Sequence, residues 1–220
     1  MRAFISILAV VLAAGVAFSL WLAMRRPTNL EAEEIAAVLE PTGSAHAPPA
    51  YAHCASCHLH DGSGRPDGSI PRLNGQREAV LQSKLHRLRA GLVRLPVMEP
   101  FARSLTPKEI PEIARYLSKL PETEPSTSPE GAKALEAGAA FYAEHCAACH
   151  GEHGEGQDGL FASRLCGQYE GYMTRRLEEV RLGQRGDADA IMREVLQGLP
   201  TEDLSAVIAW LAAGEGCGRP

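Results

Sequence analysis

Cys54-Ala55-Ser56-Cys57-His58 returns 92 positions later as Cys146-Ala147-Ala148-Cys149-His150. At the same displacement Arg72-Leu73-Asn74-Gly75-Gln76 returns as Arg164-Leu165-Cys166-Gly167-Gln168. Further on the displacement becomes 94: Met98 matches Met192, Leu105 matches Leu199, and Tyr116-Leu117 matches Trp210-Leu211. One two-residue insertion between Gln76 and Met98 reconciles the halves, so the chain duplicates a unit of roughly 75–90 residues. The segment from Pro121 to Pro129 holds three prolines and no large apolar side chain. That composition predicts an exposed, fairly stiff linker over residues 122–129.

Two thiols separated by two residues near a helical turn can add to the two vinyl groups of one haem. The histidine that follows then falls beneath the iron as an axial ligand. A lone pair of such cysteines is equally compatible with a zinc site or a redox dithiol. Two copies, each with an adjacent histidine and a methionine downstream, favour haem, held by Cys54 and Cys57 and by Cys146 and Cys149. The macrocycle would also supply core to small units in which only 5% of residues are aromatic. Met98 lies 40 residues after His58, and Met192 lies 42 after His150, each seven residues before its matched leucine. These two are the expected second axial ligands, opposite His58 and His150. Met192 lacks the proline that follows Met98 as Pro100, and Met173 is expected in the core. His86 would replace Met98 only if that assignment failed. His46, His53, His60, His145 and His153 are expected at the surface or a haem edge.

The fold class is all-α. Val80, Leu81, Leu85, Leu88 and Leu92 recur at helical spacing, as do Tyr172, Met173, Leu177 and Val180. Ser128-Pro129 is an expected N-cap and first turn for a helix bearing Leu135, Ala139 and Tyr142. Thr106 to Glu109 forms a capping box before Ile110, Ile113, Ala114 and Leu117. Thr201, Glu202 and Asp203 open the equivalent final helix, acidic residues near its positive end.

Arg2 is followed by an uncharged apolar run of 22 residues, Ala3 to Met24, and then by Arg25 and Arg26. A helix of that length spans about 33 Å, enough for a hydrocarbon core of roughly 30 Å. Residues 1–27 are therefore an expected membrane anchor. The competing reading is a cleaved signal peptide, since Gly15-Val16-Ala17 is a tolerable cleavage site. Residues 28–49 form an expected tether, with Asn29 to Leu39 able to form a short acidic helix before Pro41, Gly43, Pro48 and Pro49.

Together these motifs resemble the class I cytochrome c superfamily, specifically its dihaem cytochrome c4-like group. In both halves Leu-x-Gly-Gln follows the haem motif, then a helix, the methionine and a last helix ending Tyr-Leu or Trp-Leu. The resemblance covers about residues 50–213. It implies two tandem helical domains, 50–121 and 130–217, packed about a pseudo-twofold axis and carrying two covalently bound haem c groups. It also implies that the Pro71 carbonyl orients the histidine of the first half, with Ser163 standing at the matching place in the second. Leu73, Gly75, Leu165 and Gly167 are the implied loop supports. Two departures stand out: the glycine expected after the haem histidine is present as Gly151 but replaced by Leu59, and Pro48-Pro49 shortens the helix before Cys54.

Irons held by histidine and methionine on both faces leave no open position, which favours outer-sphere electron transfer over catalysis. The resemblance implies haem domains in the periplasm of a bacterium, with the anchor oriented N-in, C-out. The expected partners are a quinol-oxidising complex or a dehydrogenase as donor, a terminal oxidase as acceptor, and the membrane through the N-terminal helix. Alternatives are a fixed subunit of a respiratory complex, or a small dihaem oxidoreductase with one open haem. In that oxidising compartment Cys166 and Cys217 are an expected disulfide, the alternative being one buried and one exposed thiol.

Charge excludes one class of partner and divides the halves. The chain carries 22 Lys and Arg against 27 Asp and Glu, a formal charge of −5, which argues against nucleic acid. Residues 45–121 hold 11 basic against 6 acidic side chains, and residues 129–217 hold 7 against 15. Ordinary solvated surface explains that split, as does a docking face of opposite sign on each half.

Overall fold

The computed structural model describes residues 47–122, 131–184, 190–214 and Cys217. The expected anchor at 1–27, most of the tether, the capping Ser128-Pro129 pair and nearly all of the linker lie outside the described residues. Among the described residues no helix is long and apolar enough to cross a membrane.

The first half begins with a 3-10 turn, Pro49–Tyr51, that runs into α1 (Ala52–His58). It continues with α2 (Glu78–Arg89), α3 (Glu99–Ser104) and α4 (Glu109–Lys119). The second half holds α5 (Ala132–His145), α6 (Ala147–His150), α7 (Glu170–Arg181), α8 (Ala190–Gln197) and α9 (Thr201–Ala213). Strand structure among the described residues amounts to one isolated bridge, Gln157 with Ala162.

Each half encloses its own apolar cluster. Tyr51, Leu81, Ile110, Ile113 and Leu117 are buried together in the first, and Leu135, Tyr142, Met173, Val207 and Leu211 in the second. Each of these large side chains contributes about 1.5–3 kcal/mol by leaving water. A satellite cluster of Val180, Leu196 and Leu204 carries Met192 against it. The α4 face runs as its periodicity predicts, and the capping box closes: the Thr106 N–H donates to Glu109 Oε2 at 2.7 Å. The Thr106 hydroxyl donates to the same oxygen at 2.8 Å, and these bonds hold the Glu109 carboxyl below its ordinary value.

Two expectations are corrected. Residues 47–49 belong to the folded unit rather than the tether, because Ala47 and Ala50 pack on the first cluster and Tyr51 N–H bonds to Pro48 O at 2.8 Å. Leu92 is not on the α2 face: the helix closes in a Schellman pair at Gly91, with Leu92 N–H bonded to Arg87 O, and its side chain points into solvent.

Leu59 ends α1 at φ 64° and ψ 165°, where the matching Gly151 ends α6 at φ 84° and ψ 160°. That region is essentially reserved for glycine, and a side chain there costs of order 1–3 kcal/mol. Leu59 is 43% exposed, so removing its side chain sacrifices little packing. Leu59→Gly is therefore expected to stabilise the protein by about 1 kcal/mol after glycine's own entropy cost. A urea titration of the two proteins measures this, and an unchanged or lower midpoint would refute the strain.

Candidate functional site

Cys54, Cys57 and His58 lie on the single helix α1, so the two sulfurs stand one turn apart with the histidine next to the second. In the second half the helix breaks at Cys146, which has φ −122°, and Cys149 and His150 lie on the short α6. None of these four cysteines is disulfide-bonded. Burial raises the Cys54 thiol, and burial with the neighbouring Cys149 pushes Cys146 up to about 11. Among the described residues no three His, Cys, Asp or Glu gather as a metal cage.

Each histidine is fixed by a backbone carbonyl. The His58 Nδ1–H donates to Pro71 O at 3.1 Å, and the His150 Nδ1–H donates to Ser163 O at 2.9 Å. A carbonyl can only accept, so Nδ1 carries the proton and Nε2 keeps its lone pair. Burial lowers both imidazole pKa values, outweighing the carbonyl bond, which keeps the rings neutral at pH 7. A neutral imidazole with Nδ1–H tied back and Nε2 free is the form that ligates iron.

The peptide that holds each ring rests on a glycine. Gly64 has φ +72°, and a Cβ there would lie 2.5 Å from Pro71 O; Gly156 has φ +78°, and its Cβ would lie 2.6 Å from Arg164 N. Their own N–H groups bond to His58 O and His150 O at 3.1 and 2.7 Å. The Leu-x-Gly-Gln loops are pinned alike in both halves: Leu73 N–H to Gly62 O and Leu165 N–H to Gly154 O, both 2.7 Å. The Gly75 N–H bonds to Leu117 O at 3.0 Å and the Gly167 N–H to Leu211 O at 2.9 Å, clamping each loop to the last helix.

Tyr51 and Tyr142 complete the match. Each is fully buried, and each hydroxyl donates at 2.7 Å to the carbonyl just past the histidine, Leu59 O or Gly151 O. The sequence places Tyr142 on a helix face but assigns neither tyrosine to the site, because the two are displaced by 91, the break at Cys146 adding a residue. Gly64 and Gly156, and Gln76 and Gln168, were also missed as site residues, although all four keep the displacement of 92.

The methionines stand on other helices. Met98 is the half-buried cap residue before α3, and Met192 is the half-buried third residue of α8. Met173 is buried in the second core. His53, His60, His86, His145 and His153 are exposed. Cys166 and Cys217 are disulfide-bonded, with Cα atoms 5.7 Å apart.

The halves meet through their loops and the start of α7. Arg77 forms a two-pronged pair with Asp158 at 2.9 and 2.7 Å, which lowers the carboxyl pKa. The Arg72 guanidinium lies 4.3 Å over the Tyr169 ring, and Arg175 Nη2 donates to Gly68 O at 2.8 Å.

A cytochrome c family model matches residues 135–214. The fold is similar to reduced recombinant cytochrome c4 from Pseudomonas stutzeri, with TM-score 0.66 and 26% identity over 74% of this chain and 94% of that one. The chain is 32% identical over 182 residues to the thiosulfate dehydrogenase electron acceptor of Thiomonas intermedia (strain K12), covering 79% of this chain and 83% of that protein. This chain belongs to the class I cytochrome c family. The cytochrome is also similar to part of the thiosulfate dehydrogenase of Marichromatium purpuratum in its as-isolated form. There the TM-score is 0.61 and the identity 32%, over 72% of this chain and 36% of that one.

Membership implies covalently bound haem c, and the residues present fit it: paired thiols on one turn, an adjacent neutral imidazole with Nε2 available, and a fixed Nδ1 bond. The cytochrome works in electron transfer.

Proposed function

We propose that the protein is a membrane-tethered periplasmic cytochrome with two haem c groups, passing electrons from a dehydrogenase or quinol-oxidising complex to a terminal oxidase. The supporting observation is that the entire histidine-holding arrangement is built twice. Glycine cradle, carbonyl, clamped loop and buried tyrosine recur in both halves with bond lengths within about half an ångström of each other. A second copy without a haem would have no reason to keep its histidine oriented.

Haem c supplies a one-electron couple at each site. Cys54 and Cys57, with Cys146 and Cys149, hold the two groups through thioether bonds. His58 and His150, through Nε2, and Met98 and Met192, through their thioether sulfurs, would be the ligands to the two irons. With both ligands in place the iron would be closed to substrate, and the chain's task would be to bring a partner close and keep the centres rigid. The similarity to thiosulfate dehydrogenase electron acceptors supports a dehydrogenase as the donor. Covalent haem attachment and the apolar run at residues 3–24 support the periplasmic, membrane-tethered reading.

The test is a haem count on the purified protein with and without each cysteine pair. Two haems per chain are expected, falling to one in Cys54→Ala/Cys57→Ala and to one in Cys146→Ala/Cys149→Ala. Met98→Leu and Met192→Leu are each expected to remove half of the near-infrared methionine–iron absorption. One haem in the unaltered chain overturns the proposal.

A further inference from the structure

The peptide bond that accepts from each histidine is itself gripped by a glutamine of the opposite half. Pro71 C=O and Arg72 N–H belong to one peptide; its carbonyl takes the His58 proton bond while its N–H donates to Gln168 Oε1 at 3.0 Å. In the other half Ser163 C=O accepts from His150, and Arg164 N–H donates to Gln76 Oε1 at 2.7 Å. The amides also return the bond: Gln168 Nε2 donates to Arg72 O and Gln76 Nε2 to Arg164 O, both at 3.0 Å. Each Oε1 is steadied by the N–H of its own next residue, Tyr169 at 3.0 Å or Arg77 at 3.1 Å. Gln168 is buried and Gln76 half-buried.

We infer that Gln168 tunes the centre ligated by His58 and Gln76 tunes the centre ligated by His150, each acting as a positioning and polarising residue across the boundary between halves. The inference rests on the two-haem reading. A bond to a peptide N–H drives electron density onto its carbonyl, and chained hydrogen bonds strengthen one another by roughly 10–30% per bond. A stronger carbonyl acceptor draws the Nδ1 proton and makes the imidazole a better donor, which stabilises the oxidised iron and lowers its potential. The geometry carries the coupling: the half with the shorter glutamine bond, 2.7 against 3.0 Å, also has the shorter histidine bond, 2.9 against 3.1 Å.

The experiment uses the full-length holoprotein with Gln168→Met and, separately, Gln76→Met. Haems are counted first, and then the Nδ1–H proton resonances of the reduced protein and the reduction potentials are recorded. In Q168M the His58 Nδ1–H resonance moves upfield while that of His150 stays. One potential rises by a two- to fivefold change in the reduction equilibrium, about 20–40 mV at 59 mV per tenfold for one electron. Q76M shifts the other resonance and the other potential. Gln168→Asn, which keeps an amide but shortens it by one methylene, gives a smaller shift of the same sign and serves if Q168M does not fold. Unmoved resonances, or a shift confined to the histidine of the mutated half, overturn the inference. A single haem per chain overturns the two-haem reading instead, and the Nδ1–H readout at the loaded half still tests the glutamine opposite it.

Discussion

Gly138→Ala is expected to lower the melting temperature by about 6–12 °C. Gly138 sits mid-way along α5 where it crosses α9, and a Cβ there runs into the carbonyl of Ala206, with Val207 N next. In an isolated helix interior the exchange would gain about 1 kcal/mol from propensity. Here the obstacle is the backbone of the partner helix, so α9 must move away from a core holding Tyr142, Val207, Trp210 and Leu211. Overpacking of that kind costs typically 1–3 kcal/mol, and a rigid backbone obstacle lies at the upper end. A loss near 3 kcal/mol corresponds to the stated shift for a chain of this size. Gly159→Ala is the control, because nothing lies within 4 Å of its Cβ position. Thermal melts of the three proteins followed by circular dichroism decide it; overlap of the Gly138→Ala melt with the control would refute the close crossing.

Gly64→Ala is expected to release His58 while leaving the second half intact. Its Cβ would lie 2.5 Å from both Ile70 O and Pro71 O, so the carbonyl that holds Nδ1 must shift. The left-handed backbone adds about 1–2 kcal/mol for any residue with a side chain. Loss of the Nδ1 bond frees the ring to rotate and would weaken the axial ligand, so an added exogenous ligand such as cyanide should bind one centre roughly tenfold faster. Gly156→Ala should do the same at the other centre, its Cβ meeting Ala162 O and Arg164 N at 2.6 Å. Rapid-mixing measurements of cyanide binding check this. Unchanged rates in both variants would mean that the glycine cradle does not hold the histidines.

How much of this was legible beforehand differs from residue to residue. Helical periodicity found α2, α4, α5 and α7, since a 3.6-residue stripe is a local property, and α9 was announced by the Thr201, Glu202 and Asp203 at its start. It failed at Leu92 because Gly91 ends α2 after Ala90, and hydrophobic spacing alone does not register a left-handed turn. Pro48-Pro49 correctly announced a shortened first helix, but not that Ala47 would pack on the first core. The replacement of the expected glycine by Leu59 was visible as a departure; only its dihedral angles turned it into strain. The matched role of Tyr51 and Tyr142 escaped because an alignment at constant displacement sets Tyr51 against the wrong residue. The Cys166–Cys217 pair was expected from the chemistry of the compartment, with its geometry supplied by the fold.

Amino-acid order alone determined the internal repeat, the all-helical class, the Cys-x-x-Cys-His motifs and the starts of α4 and α9, because each is carried by residue types and their spacing along the chain. Tertiary structure alone decided that Gln168 grips the peptide under His58 and Gln76 the peptide under His150, across 96 and 88 residues of chain. It also decided that Gly64 and Gly156 lie against those peptides. A backbone carbonyl carries no residue identity, so the partner it finds is written in the path of the folded chain and not in any local pattern of side chains.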